Sequence, residues 1–281
     1  MQKRRILIVD NNDELRAILE NALGSLGHEA VVTGDRDEAL SRNDLDQFDV
    51  IISDLTEESE LNNLSEHPPN GKPANEQHRR RLLTSVSSNS AEPIIVKAFK
   101  MVAAHYLRQP YNKDELREIV EQTLSYKLRY VDDPSLLSHT HEKIEFELPS
   151  DLTLMSGVLQ YLLERVAKMG VISPEGSNLF VALDEAFVNA VKHGNKNDPT
   201  KLIRVGAELS PKEACFTIED EGAGFDVQTI SDPRDPANLF KSSGRGVLLI
   251  YNIMDEVEYN AQGNRVKMVK RPEPASETGT R

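Results

Sequence analysis

The N-terminal half of the chain alternates short apolar runs with segments of helical spacing. Apolar runs at residues 6–9, 31–33 and 50–53 have the length of buried strands. Residues 15–26 carry Leu, Ile and Ala at three- and four-residue intervals, as on one face of a helix, and residues 35–42 form a second segment of helix length. This order of strand, helix, strand, helix, strand predicts a doubly wound parallel sheet with helices on both sides.

Between residues 56 and 92 the alternation stops. The segment is rich in Asn, Ser, Pro and Glu and contains the turn sequence Pro68-Pro69-Asn70-Gly71, which predicts an insertion. Strands are then predicted near residues 94–96 and 106–107, and an amphipathic helix is predicted over residues 113–128.

The C-terminal half begins a second cycle of strands and helices. The predicted elements are, in order, a strand at residues 144–148, a helix capped by Ser150 or Asp151 and running to about Met169, a helix ending at His193, strands at residues 202–209 and 214–219, a helix over residues 246–254, and strands at residues 257–259 and 266–269. We expect a first domain over residues 1–128, a linker over residues 129–143, a second domain over residues 144–271 and a disordered tail over residues 272–281.

Composition restricts the classes of function. The 281 residues include 46 Asp and Glu against 33 Lys and Arg, a net charge of −13. This disfavours direct nucleic-acid binding, because clustered positive charge is what neutralises phosphates. The single cysteine, Cys215, excludes an internal disulfide framework. Since no apolar stretch approaches the roughly 20 residues that span a bilayer, we expect a cytoplasmic protein without a membrane partner.

Two polar residues on the second helix of the C-terminal half have spacing suited to phosphoryl transfer. Glu185 and Asn189 lie four positions apart and therefore share a helix face, with His193 one turn further on. An amide oxygen is a suitable ligand for Mg²⁺, and a neighbouring carboxylate can accept the proton of an attacking hydroxyl. A solvated polar face would produce the same pair, so the interpretation depends on the neighbouring segments.

Two glycine-rich segments supply that context. Residues 220–225 (DEGAGF) follow a predicted strand, where glycines allow close approach to a flat ligand and Asp220 can accept from an exocyclic amine. Residues 242–246 (SSGRG) precede a predicted helix, whose first N–H groups favour an anion.

These three segments, in this order, resemble the motifs of the GHKL ATPases, and among them the anti-sigma-factor serine kinases. Residues 183–195 (LDEAFVNAVKHGN) are similar to the N box, and residues 220–225 to the next box. Residues 243–246 with residues 248–255 are similar to the last glycine box and the I-x-x-x-M-D-E-V ending seen in these kinases. The resemblance implies an α/β two-layer sandwich of the Bergerat type that binds ATP and Mg²⁺.

The resemblance also implies roles for single residues. Glu185 would be the general base, Asn189 would hold Mg²⁺, and Asp220 with Gly224 would contact adenine. The implied cofactor-binding set is Asn189, His193, Asn195, Asp220, Gly222, Gly224, Lys241, Ser243, Gly244, Arg245 and Gly246, in which His193 and Asn195 support the pocket. Many of these kinases carry an arginine where this chain has Ser242, so Lys241 or Arg245 would supply that charge.

The phosphate acceptor is expected on another protein. His139 and His141 lie in the predicted linker without the surroundings of a histidine-kinase acceptor, so the compact domain resembles a kinase for a Ser or Thr of an anti-sigma antagonist of the STAS fold. A sigma factor is the other implied partner, and a homodimer is a further expectation. The alternative, from a different class, is a non-catalytic ATP-dependent binding switch.

The N-terminal half resembles a response-regulator receiver domain of the flavodoxin-like fold. Asp10 and Asp54 end the first and third predicted strands, and residues 104–111 (AHYLRQPY) are similar to a conserved receiver segment. Asn11 replaces the second acidic metal ligand, and Gln109 replaces the receiver lysine. These departures favour a pseudo-receiver used for docking or dimerisation, whereas the alternative is a response regulator phosphorylated at Asp54 with an ATPase output.

Overall fold

The computed structural model describes residues 3–53, 95–103, 112–130, 140–173, 177–225 and 245–272. The strands in these ranges are β1 (Arg5–Val9), β2 (Glu29–Thr33), β3 (Val50–Ser53), β4 (Ile95–Val102), β5 (Thr140–Pro149), β6 (Leu202–Leu209), β7 (Ala214–Asp220), β8 (Glu256–Tyr259) and β9 (Arg265–Lys270). The helices are α1 (Asp13–Ser25), α2 (Arg36–Ser41), α3 (Lys113–Tyr130), α4 (Met155–Lys168), α5 (Leu179–Asn189) and α6 (Arg245–Ile253), with a π-helical turn at Ala190–Gly194 and 3-10 turns at Leu45–Gln47 and Leu152–Leu154.

These strands form one mixed sheet. Its order is β2-β1-β3-β4-β5-β6-β7-β9-β8. Strands β2, β1 and β3 are parallel, as their apolar runs and intervening helices predict. From β5 to β8 every neighbouring pair is antiparallel. The sheet is therefore parallel at its N-terminal edge and antiparallel from β5 onward.

The expectation of a wholly parallel N-terminal sheet is wrong at its fourth strand. β4 runs antiparallel to β3, with Ile52 opposite Met101, and extends to Val102 rather than ending near residue 96. An apolar run indicates a buried strand but carries no information about its direction, which depends on the end at which the chain enters. The predicted strand at residues 106–107 and the insertion at residues 56–92 lie outside the described residues.

β4 and β5 join the two halves of the chain within this sheet. They pair in parallel over eight positions, from Ile95 opposite Thr140 to Val102 opposite Glu147. His141, expected in a linker, is an exposed residue of β5. The strand extends back to Thr140 because buried residues continue to alternate with more exposed ones up to that position. The division of the chain into two domains stays a prediction.

The main hydrophobic core lies on one face of the sheet and runs beneath both halves. Helices α1, α3, α4, α5 and α6 all contribute buried side chains to it. At its centre, Phe99 of β4, Phe146 of β5 and Tyr161 of α4 make edge-on ring contacts with centroids 5.6 to 6.3 Å apart. A smaller cluster including Phe48 and Ala39 covers the other face at β1 and β3. None of the helices in the described ranges is long and apolar enough to cross a membrane.

Two ion pairs fix helices to this sheet from inside the core. Arg165 of α4 has no exposed surface and donates two hydrogen bonds to Glu142 of β5, one of them 2.9 Å long from Nε to Oε2. Lys127 of α3 donates to Asp10, at the end of β1, over 2.7 Å, and both side chains are buried. The pairs set the position of α4 on β5 and of α3 on β1.

Arg165→Met is expected to lower the free energy of unfolding by about 3–5 kcal/mol, because it leaves Glu142 buried without its arginine. The double variant Arg165→Met with Glu142→Leu is expected to recover most of that loss, since neither charge then remains buried. Urea unfolding of the full chain measures both.

Arg265→Met is the matched control for this prediction. Its side chain is 52% exposed and lies 4.0 Å from Glu219, so its removal is expected to change stability by at most about 1 kcal/mol. An equal effect of Arg165→Met and Arg265→Met would contradict a structural role for the buried pair.

Candidate functional site

The end of α5 lies close to the first turn of α6 at Gly246 and to the end of β7 at Asp220, and we call the region that these segments border the cleft. The residues predicted from the two motifs on α5 and β7 lie around it. The turn between β8 and β9 closes one side of the loop through side-chain contacts. Four separate segments of the chain therefore build the site.

Glu185, Asn189 and Gly246 come together at one end of the cleft. Both α5 side chains are half-buried on the same helix face. A Cβ placed on Gly246 would lie 2.3 Å from Glu185 Oε2 and 3.7 Å from Asn189 Nδ2, so the start of α6 lies close to both side chains. The carboxylate and the amide are thus held beside the N-terminal turn of a helix, where backbone N–H groups favour an anion.

The end of α5 widens into the π-helical turn. The N–H of Asn195 donates to the carbonyl of Ala190 over 2.8 Å, five residues back, as in a π-helix. Single π turns inside helices are frequent at functional sites. Here the turn brings Gly194 beneath Asp220, since a Cβ on Gly194 would lie 2.2 Å from Asp220 Cγ.

Asn195 ties this turn to the loop after β7. It is buried, its Nδ2 donates to the carbonyl of Leu202 and its Oδ1 accepts from the N–H of Glu221, both over 2.8 Å. The amide is therefore used within the protein, and Asn195 positions the loop. His193, by contrast, is exposed on the π turn.

Asp220 is the buried polar group at the other end of the cleft. Its Oδ1 accepts from the N–H of Gly222 over 2.8 Å. Burial raises the pKa of its carboxyl above the ordinary value, and the Gly222 hydrogen bond opposes that shift. Asp220 therefore keeps a desolvated carboxylate oxygen at the floor of the site.

Glycines allow the backbone to pack closely around Asp220. A Cβ on Gly222 would lie 2.3 Å from the carbonyl oxygen of Gly194. Gly224 has a φ of +74°, and a Cβ there would lie 1.9 Å from the carbonyl oxygen of Gln262. Both Gly222 and Gly224, predicted from sequence, are thus required by close backbone approach as well as by the cleft.

Three supporting residues were missed from the sequence. Asn264 Nδ2 donates to the carbonyl of Asp220 over 2.8 Å, and Gln262 Nε2 donates to the carbonyl of Gly222 over 3.3 Å. Gly194 provides the close approach to Asp220. The two amides lie in a polar turn about 40 residues further along the chain, where the sequence pattern indicates only a hairpin, whereas Gly194 could have been singled out as the glycine that ends the α5 motif.

The donor set fits a nucleotide with Mg²⁺. Within the described ranges there is no group of three His, Cys, Asp or Glu suited to hold a metal by itself. Asn189 could supply one oxygen to a Mg²⁺ whose other ligands are phosphate and water, which is the usual way in which proteins hold this ion. The Asp220 carboxylate is a hydrogen-bond acceptor that suits an exocyclic amine.

Several predicted residues lie outside the described part of the chain. These are Lys241, Ser242, Ser243, Gly244 and Asp54. Arg245 is described only as the first residue of α6. Their roles stay predictions from the sequence.

Asp10 is already engaged by the protein. Its Oδ2 accepts from Lys127 over 2.7 Å, and its Oδ1 accepts from the N–H of Asn12 over 2.9 Å. Lys127 belongs to a helix 117 residues away in sequence, so this cation could not be anticipated from the motif around Asp10. The Asp10 carboxylate therefore already has a buried counter-charge.

Comparisons with known proteins place the C-terminal half among ATPases. A family model for the histidine kinase-like ATPase domain matches residues 148–270. The serine-protein kinase RsbW of Staphylococcus epidermidis is 28% identical over 142 residues, which cover 48% of this chain and 89% of that protein.

Two further relatives have similar coverage. The serine-protein kinase RsbW of Oceanobacillus iheyensis is 30% identical over 129 residues, 43% of this chain and 81% of the relative. The anti-sigma F factor of a Geobacillus species is 30% identical over 104 residues, 36% of this chain and 70% of the relative. The cleft at Glu185, Asn189 and Asp220 lies inside the matched domain, and the chain belongs to the family of histidine kinase-like ATPases that includes the serine-protein kinase RsbW and the anti-sigma F factor.

Proposed function

We propose that this protein binds ATP with Mg²⁺ in the cleft and transfers the γ-phosphoryl group to a Ser or Thr of a partner protein of the anti-sigma antagonist type. The observation that carries this proposal is the close approach of Glu185 and Asn189 to Gly246, in the first turn of α6. A proton acceptor, an oxygen ligand and an anion-binding helix terminus are thereby within one side chain's length of each other.

Glu185 would act as the general base. Bound ATP with Mg²⁺ supplies the γ-phosphoryl group and the cation that reduces its charge. The hydroxyl oxygen of the partner forms the new bond to phosphorus, its proton passes to the Glu185 carboxylate, and the bond from phosphorus to the bridging oxygen of ADP breaks. Asn189 would hold Mg²⁺ one turn from the base, which keeps the two groups in a fixed relation.

Asp220 would recognise the adenine ring. Its carboxylate oxygen can accept a hydrogen bond from the exocyclic amine. Burial without a ligand is unfavourable for this charge. Binding of an amine donor would relieve that cost, which makes the interaction selective for a base with an N–H donor.

The partners are inferred from the relatives. Serine-protein kinase RsbW and anti-sigma F factor are names of proteins that act on a serine and on a sigma factor. We therefore expect an antagonist protein as substrate and a sigma factor as a bound partner, both through protein surfaces. A homodimer is part of the same proposal.

Glu185→Gln is expected to lower phosphate transfer by about 100-fold or more, because removal of a general base typically costs a factor of 10² to 10⁴. ATP affinity should change little, since glutamine keeps the shape of the side chain. Transfer of labelled phosphate to a purified STAS-type antagonist measures the first effect, and calorimetric titration with Mg²⁺ and ATP measures the second.

Glu208→Gln, an exposed change on β6, is the matched control and should leave both quantities unchanged. Tight ATP binding without transfer to any antagonist or sigma factor by the unmodified chain would refute the kinase step. That outcome would favour a non-catalytic ATP-dependent binding switch.

Asp220→Asn is expected to weaken ATP binding by about tenfold or more, because a hydrogen bond to a charged group is worth about 1.5–3 kcal/mol. In the nucleotide-free protein the same change is expected to raise the thermal midpoint at neutral pH. The pKa of the folded carboxyl is raised, so the charged wild-type side chain lowers stability as pH rises from its ordinary value of 3.8 through the folded value.

Thermal unfolding followed from about pH 4 to pH 7 checks the sign. The midpoint of the Asp220→Asn variant relative to wild type should increase with pH across this window. A relative midpoint that falls with pH would show that the carboxylate stabilises the empty site.

For the N-terminal half we propose a docking role without phosphate acceptance. The buried Lys127 ammonium already neutralises Asp10, so Mg²⁺ would have to displace it. Addition of Mg²⁺ and beryllofluoride to the full chain is accordingly expected to leave the thermal midpoint unchanged. A shift that Asp54→Asn abolishes would instead establish a phosphate-responsive receiver.

A further inference from the structure

A row of alternating charges crosses the sheet from β4 to the loop after β7. Lys100 Nζ lies 3.2 Å from Glu147 Oε1, and Glu147 Oε1 lies 3.5 Å from Arg204 Nε. Arg204 Nη2 then donates to Glu221 Oε1 over 3.1 Å. Successive members belong to β4, β5, β6 and the loop after β7, so one ion network spans the two halves of the chain.

The last member of this row, Glu221, fixes the loop that follows Asp220. The Glu221 N–H donates to Asn195 Oδ1 over 2.8 Å, and Glu221 Oε2 accepts from the N–H of Leu202 over 3.0 Å. The carboxylate therefore binds Arg204 with one oxygen and the start of β6 with the other. The residue next to Asp220 is held from three directions.

The first member lies in the N-terminal half. Lys100 pairs in the sheet with Ser53, the last residue of β3, and its side chain is 4% exposed. It also lies 3.6 Å from Glu145 Oε2. A displacement of β4 would therefore move the Lys100 ammonium group, because the buried side chain has little free space.

The Lys100 and Glu147 side chains are more buried than those of Arg204 and Glu221. This difference in burial is the basis for coupling between the two ends of the row. The side chain of Glu147 is 11% exposed, and those of Arg204 and Glu221 are 40% and 34% exposed. An exposed pair such as Arg204 with Glu221 contributes little alone. The buried Glu147 carboxylate, however, needs compensation, and Lys100 and Arg204 share its Oε1.

Loss of the Lys100 charge would leave Arg204 as the cation paired with Glu147 among the residues that the structure describes. Arg204 would then be drawn toward the buried carboxylate and away from Glu221. The loop would lose one of its three attachments. Because networks of this kind are cooperative, the effect on the loop should exceed the value of the exposed pair itself.

We propose that Lys100 and Glu147 are positioning residues for the loop that follows Asp220, which we call the nucleotide loop. Through these two residues, strand β4 of the N-terminal half determines the affinity of the C-terminal cleft for ATP. The proposal rests on the proposed function only in naming ATP as the ligand. The ordering of the loop by Lys100 is a property of the protein without nucleotide.

The test is amide hydrogen exchange of the nucleotide-free full chain. Lys100→Met is expected to accelerate exchange at the N–H groups of Leu202 and Glu221 by about three- to tenfold. This factor lies within the range of coupling energies between distant residues of a contact network. The affinity for Mg²⁺ and ATP should fall by a similar factor, with transfer at saturating ATP less affected. Lys100→Arg, which keeps the charge, should restore most of both.

Lys267→Met is the matched control for loss of a lysine. Lys267 is exposed on β9 and makes no ion pair among the described residues, so neither amide should change. The decisive comparison uses Arg204→Met, a change at a side chain already 40% exposed. Once Arg204 is removed, Lys100→Met should have no further effect on the two amides.

Additive effects of Lys100→Met and Arg204→Met on exchange would overturn the proposal, as would unchanged exchange in Lys100→Met. If Lys100→Met does not fold, Lys100→Gln, which also removes the charge, gives the same comparison in the presence and absence of Arg204→Met. Failure of the unmodified chain to bind ATP or transfer phosphate would count against the proposed function alone, because exchange is measured without nucleotide.

Discussion

The parallel pairing of β4 with β5 is the constraint on which the rest of the structure depends. Eight consecutive register pairs fix strand β5 between an N-terminal and a C-terminal neighbour. One core can therefore run under both halves, and the ring contacts of Phe99, Phe146 and Tyr161 lie at that junction. A shift of one residue in β4 or β5 would move Phe99 or Phe146 to the opposite face of the sheet, so the register is strongly specified.

The cleft shows a different constraint, which is the close approach of backbones. Gly222 and Gly224 each lie where a Cβ would come within 2.3 Å of a backbone carbonyl oxygen. Glycine at these positions permits close packing around Asp220. It also has an entropic cost, because glycine loses more conformational freedom on folding than other residues. The buried Asp220 adds an electrostatic cost of the same kind. Strand pairing on either side of the loop supplies the rigidity that keeps this arrangement in place.

The sequence predicts local structure and chemistry better than tertiary pairing. Strand β6 was expected at residues 202–209 and lies at Leu202–Leu209, because alternation and a flanking turn define both ends. Glu185 and Asn189 share a face because helical spacing requires it. The direction of β4 and the contact of Lys127 with Asp10 were not predictable, since both arise from segments far apart in the chain. Asn264 was missed for the same reason.

The buried charges at the junction of the two halves are better explained by specificity than by stability. A buried ion pair often contributes no more than an apolar pair of the same shape, because desolvation offsets the attraction. Lys100 with Glu147 and Arg165 with Glu142 nevertheless tie neighbouring elements to β5 in one register. An apolar contact would persist if one element shifted along its neighbour. The same shift would separate a buried ion pair and leave unpaired buried charges, which is costly. Charged residues at these positions therefore hold the N-terminal strands and the nucleotide loop in a single relative arrangement.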